Sequence, residues 1–132
     1  MGLMSAKPER LYHFTCSHAK RDLGTGPNAL LVPHLHPWLH KKLVWLTDDA
    51  EPDRARTGLT STYISCDRME YRYVVTDLGH CRRWIGSPER DGLSSERLEA
   101  FEVREDGEHA DTHQWWISDL PVRARYDRSW PT

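Results

Sequence analysis

Several short stretches carry residue types at spacings that could do chemistry. Tyr12-His13-Phe14-Thr15 comes first. An imidazole on a strand can donate from one ring nitrogen and accept at the other, which suits the hydroxyls of a ligand. A histidine satisfied by the backbone is the plainer reading. In Leu43-Val44-Trp45-Leu46-Thr47-Asp48, Trp45 and Thr47 fall on one face, opposite Val44 and Leu46. A large aromatic ring with a hydroxyl nearby can stack on a flat ligand and hydrogen-bond its substituents, though taken alone Trp45 is better read as a core residue. Late in the chain, Gln114 precedes Trp115-Trp116-Ile117-Ser118. Its amide can hold a ribose hydroxyl or a carboxamide, and it cannot act as a general base.

Two further groups compete with these. His34, His36 and His40 fall in Pro33-His34-Leu35-His36-Pro37-Trp38-Leu39-His40, with Cys16 and His18 upstream. Alternating histidines can present imidazoles to a metal, but no His-Glu-x-x-His and no cysteine pair supports a zinc site. A solvated loop is the competing reading. In Cys66-Asp67-Arg68-Met69-Glu70-Tyr71-Arg72-Tyr73, Arg68 or Arg72 could fork onto a phosphate or carboxylate. Either could instead pair with Asp67 or Glu70. His80 and Cys81 are neighbours that point apart on a strand, so a Cys-His nucleophile is poorly supported.

These side chains need elements to position them. Residues 1–8 read as a loose arm and 9–132 as one domain. Glu9 to Thr15 alternates with the period of a strand. Cys16 to Leu23 fits a short helix capped by Thr15 or Ser17 and ended by Gly24. Ala29 to Val32 is a short apolar run. Pro33 and Pro37 predict an irregular segment over 33–40, since proline cannot donate to a ladder. Leu43 to Thr47 and Glu70 to Thr76 read as strands. Asp48 to Thr57 reads as a charged turn or loop, and Ser61 to Ser65 is ambiguous. Asp77 to Asp91 is loop-rich, anchored by Trp84 and Ile85. Ser94 to Phe101 is a helix capped by Ser94 or Ser95. Gln114 to Ser118 is a strand, and Val122 to Tyr126 a final edge strand after Pro121. Strands mixed with one to three short helices predict a small α+β domain with a split or strongly twisted sheet.

Composition narrows the function classes. The chain has 132 residues, with 18 Lys+Arg against 20 Asp+Glu, a net charge of −2. A domain of this size can bury enough surface to fold without disulfides or metals. The charge balance argues against a general phosphate-backbone binder. No apolar run is long enough to cross a membrane, and the first residues lack the apolar core of a signal peptide. Cys16, Cys66 and Cys81 form no close pair, as expected of free thiols in a cytoplasmic protein. The unusual features are 8 His and 6 Trp against 2 Phe. An aromatic excess of this kind predicts that several rings line a cleft.

Taken in chain order, these pieces resemble a known group. Leu11-Tyr12-His13-Phe14-Thr15 is followed by a glycine-containing loop and Leu30-Leu31-Val32-Pro33. Leu43-Val44-Trp45-Leu46-Thr47 follows, and a polar-aromatic strand closes the chain. This order resembles the small ADP-ribosyltransferase-like proteins. That superfamily takes in diphtheria-toxin-like transferases, DNA-modifying toxins of toxin–antitoxin pairs and RNA 2′-phosphotransferases. The resemblance covers roughly residues 9–126 and rests on short motifs. It implies that His13 holds the ribose of NAD, with Tyr12 and Thr15 beside it. It implies that Trp45 and Thr47 shape the nicotinamide pocket, and that Gln114 stands where a late-strand Glu is usual.

The resemblance therefore implies an NAD-binding transferase that passes ADP-ribose to a protein, a nucleic acid or water. His13 and Gln114 would be its catalytic pair; Tyr12, Thr15, Trp45, Thr47, Arg68 and Arg72 would contact the nucleotide. A glutamine cannot offset developing positive charge as a carboxylate does, so either Glu102, Glu108 or Asp111 supplies it or the chain binds a nucleotide or cleaves NAD slowly; phosphotransferase-like chemistry, with Arg68 or Arg72 and a His holding a phosphate, is a further alternative. Two alternatives remain: a non-enzymatic phage or defence-system interaction protein that keeps the fold, and a metal-binding protein using His34, His36 and His40.

Overall fold

A computed structural model describes residues 8–36, 39–51, 70–103 and 112–131. In chain order its elements are β1 (Leu11–Thr15), α1 (Ser17–Leu23), β2 (Ala29–Leu31), β3 (His34–His36), β4 (Lys41–Thr47) and β5 (Tyr71–Val75). They continue with β6 (Arg82–Arg83), α2 (Pro88–Asp91), α3 (Ser95–Glu102), a 3₁₀ turn (Thr112–Gln114), β7 (Trp115–Ser118) and β8 (Val122–Tyr126). The described strands form one antiparallel sheet in the order β2-β8-β5-β1-β4-β7-β6, with β3 paired to β4. The expected α+β class is what the chain adopts.

Period-two alternation on the central strands builds two cores, one on each face. Leu11, Tyr73, Val75, Val44, Leu46, Trp116 and Ala124 bury together on one face. Leu43, Ile117 and Trp84 bury on the other, with Trp45, Phe101 and Trp115 packed against them. The sheet is tightly laddered on one side of its midline. β1 pairs with β5 through five successive positions, from Leu11↔Val75 to Thr15↔Tyr71. The β1–β4 seam is different: the two strands share only the pair Tyr12↔Thr47. The β1–β4 junction is thus the shortest ladder in the sheet, and residues beside it line the site described below.

Two short helices start on serine caps, α3 as expected and α2 within the stretch 77–91 that reads as loop-rich. Ser94 caps α3 by accepting from the Arg97 N–H, and Ser87 caps α2 by accepting from the Arg90 N–H. Gly24 ends α1 at φ 80°, a conformation that an L side chain resists. At the start of α1, Cys16 occupies the N-cap and makes no side-chain cap bond, so neither Thr15 nor Ser17 has that role.

The chain departs from expectation in three places. Residues 34–36 form β3, a hairpin partner of β4 in the register His34↔Leu43 to His36↔Lys41. Pro33 precedes these residues in sequence and Pro37 follows them, so neither lies within the strand. β8 is no edge strand, because β2 covers its outer side and β5 its inner side. Gln114 closes the 3₁₀ turn, and the strand begins at Trp115. The stretch 61–65, with Cys66, Arg68, Glu108 and Asp111, lies outside the described residues.

Candidate functional site

Where β1 and β4 diverge, the seam opens into a cleft of about 730 Å³. This volume falls within the range of small-molecule sites. Tyr12, His13 and Thr15 reach it from β1, Trp45 and Thr47 from β4, and Gln114 from the turn before β7. Period two puts His13 and Trp45 on opposite faces of their strands. Both still reach the cleft because the seam is open between them.

His13 is the best-defined member. Its Nδ1 lies 2.9 Å from the Trp45 carbonyl oxygen, across the seam from its own strand. A carbonyl can only accept, so Nδ1 carries the proton and donates. Burial pushes the His13 pKa below the ordinary histidine value; the Trp45 bond opposes that shift and the nearby charge of His34 adds to it. A neutral imidazole with its proton on Nδ1 leaves Nε2 as a bare acceptor. Such an atom accepts from a ligand hydroxyl, which is what holding a ribose requires.

The second wall is aromatic. The Trp45 ring lies with its centroid 5.1 Å from Trp84, 5.6 Å from Phe101 and 5.9 Å from Trp115. Trp45, Phe101 and Trp115 are half-buried and line the cleft, while Trp84 is fully buried behind them. Trp45 thus serves both as core and as wall. A clamp fixes this cluster: Trp84 Nε1 donates to Glu102 at 2.6 Å, and Arg90 donates to the same carboxylate at 2.9 and 3.1 Å. Glu102 is therefore committed to structure, and it does not line the cleft.

Arg72 is also engaged elsewhere. It is buried, donates to Asp127 from Nε at 2.9 Å and from Nη2 at 2.6 Å, and donates from Nη1 to the Ala50 carbonyl at 2.6 Å. Its guanidinium stacks between Tyr12 and Trp130. It contributes to the cleft by supporting Tyr12 from behind. Among the described residues its carboxylate partner is Asp127, distant in sequence; Asp67 lies outside the described residues.

His34 and His36, read from the sequence as metal ligands or a solvated loop, line this cleft, and so does Asp22, which the sequence reading did not single out. His34 and His36 alternate on β3 and both face the cleft. His36 packs edge-on against Phe101 at 4.9 Å, and burial lowers its pKa. The His-x-His pattern was the available signal, and the flanking prolines obscured it. Asp22, at the end of α1, is the one carboxylate among the described lining residues. Among the described residues, no three His, Cys, Asp or Glu side chains gather as a metal site would need.

No helix among the described residues is long and apolar enough to cross a membrane. No family model, curated protein or solved structure matches the chain.

Proposed function

We propose that the cleft binds NAD or a related nucleotide, and that the chain transfers ADP-ribose from it to a protein, a nucleic acid or water. One observation carries this reading. Tyr12, His13, Thr15, Trp45, Thr47 and Gln114, dispersed over a hundred residues and selected by type and order, line one cleft. In this reading His13 Nε2 accepts from a ribose hydroxyl and the Gln114 amide holds a second. Trp45 and Trp115 flank the nicotinamide ring, with the Thr47 hydroxyl at its carboxamide. The apolar walls keep water away and hold the ring and the ribose in one geometry. The acceptor's lone pair forms the new bond at the anomeric carbon. The glycosidic bond electrons leave with nicotinamide, and the acceptor's proton passes to solvent.

A second reading has a specific observation in its favour. Gln114 cannot offset positive charge on the ribose, and Asp22 is the only described carboxylate in the cleft. A protein that holds the nucleotide without cleaving it would look like this.

Two measurements on the purified chain decide. NAD raises the melting temperature in either reading, because a ligand that binds the native state stabilises it. Release of free nicotinamide occurs only if the chain is a transferase. The absence of both a melting shift and nicotinamide release at high protein concentration would remove the nucleotide reading altogether.

A further inference from the structure

The described lining of the cleft contains no lysine and no arginine. A nucleotide brings negative charge, and a phosphate taken out of water needs a charged or multiply donating partner. Its described lining offers imidazoles. His13 is unsuited, since its Nδ1 proton is spent on the Trp45 carbonyl and burial disfavours its cation. His34 is exposed at the rim, on the same face of β3 as His36.

Resting on the nucleotide reading above, we infer that His34, with His36 beside it on β3, forms the phosphate contact of the cleft. The ligand is then a phosphorylated nucleotide, preferred over its nucleoside and bound more tightly as the pH falls below neutral. The surroundings of His34 support this division of labour. On the paired strand, Lys41 is held by Glu89 at 2.5 Å and Asp119 at 3.1 Å. Lys42 pairs with Leu35 and therefore projects to the other face of the hairpin. The remaining titratable groups of the described lining are Tyr12, His13 and Asp22. A cation on His34 opposes a second one on His13, so the two imidazoles take different roles: His13 accepts from the sugar and His34 donates to the phosphate.

Calorimetric titration of the full chain at pH 6, 7 and 8 tests this, with ADP-ribose and nicotinamide riboside as ligands. The pyrophosphate diester of ADP-ribose does not titrate in that range, so any change belongs to the protein. Uptake of one proton on binding tightens affinity by at most about tenfold per pH unit. The expected result is ADP-ribose binding at least about fivefold tighter at pH 6 than at pH 8, accompanied by proton uptake. Nicotinamide riboside, which lacks phosphate, binds with little pH dependence. His34→Gln weakens ADP-ribose and flattens its profile, and leaves nicotinamide riboside unchanged. If both ligands bind and the ADP-ribose affinity is the same at pH 6 and pH 8, the phosphate assignment fails while the nucleotide reading survives. If neither binds at any pH, both fail. The unmodified chain alone yields the pH profile, so the test does not depend on the variant folding.

Discussion

Replacing Glu102 by alanine should destabilise the fold and loosen one wall of the cleft. Glu102 is only 5% exposed and accepts the Trp84 Nε1 proton at 2.6 Å. Trp84 is itself fully buried, so its N–H has no water to turn to once the carboxylate is gone. An orphaned buried donor costs about 1–3 kcal/mol. The Arg90 side chain remains 27% exposed, so water replaces much of what it loses, and that pairing adds only about 0.5–1 kcal/mol. The expected total is about 2–4 kcal/mol, or a fall in melting temperature of roughly 6–16 °C for a chain of this size. Glu102→Gln keeps an acceptor for Trp84 and should cost about 1 kcal/mol. Thermal melting followed by tryptophan fluorescence and by far-ultraviolet circular dichroism measures both. Phe101 precedes Glu102 on α3 and lines the cleft, so the alanine variant should also lose part of its NAD-induced stabilisation. A melting temperature within about 2 °C of the parent for Glu102→Ala would refute the claim that this carboxylate satisfies a buried donor.

Acid should weaken the free protein through its histidines: burial lowers the pKa of His13 and His36, so below about pH 6.5 the unfolded chain binds protons that the folded chain resists. Stability present above pH 6.5 is then lost as the pH falls; melting temperatures recorded from pH 7.5 to 5 should decline, His13→Gln should flatten part of the slope, and a level profile for the parent would contradict this. Arg72→Met leaves Asp127 without its guanidinium in a largely buried site and should cost about 3 kcal/mol in urea unfolding, yet leave the preference for ADP-ribose over nicotinamide riboside unchanged. Trp45→Leu removes a stacking surface worth about 0.5–1.5 kcal/mol and should weaken NAD roughly two- to tenfold in calorimetry; unchanged affinity would take Trp45 out of the site.

The legible parts of this fold are those governed by local alternation. β1 shows period two in the sequence, β4 reads as a compact apolar run and β5 as a strand of aromatic and β-branched residues, and His13, Trp45 and Thr47 were readable because they sit on β1 and β4. The seam was not readable. That β1 meets β4 at a single pair depends on how far two strands distant in sequence diverge, and alternation cannot report it. Pairing partners were equally hidden: nothing near Val122–Tyr126 signals that Ala29–Leu31 will cover it, and nothing near Arg72 points to Asp127. His34 and His36 were obscured by a rule applied one step too broadly, since proline forbids a position in a ladder and permits a strand that ends beside it.

The imidazole of His13 is also a mechanical part. Where the backbone ladder between β1 and β4 gives out, the Nδ1–H bond to the Trp45 carbonyl stitches the two leaves together. The strand that bears the ligand-facing nitrogen is thus anchored by the other nitrogen of the same ring to the strand that bears the aromatic wall. Any tilt of one strand against the other moves His13 Nε2 and Trp45 as a coupled pair, so in the proposed nucleotide complex one side chain sets the spacing between sugar and ring. A substitution at His13 should therefore alter the width of the cleft as well as its chemistry. Backbone amides along the β1–β4 seam should exchange with solvent sooner than those of the fully laddered β1–β5 pair.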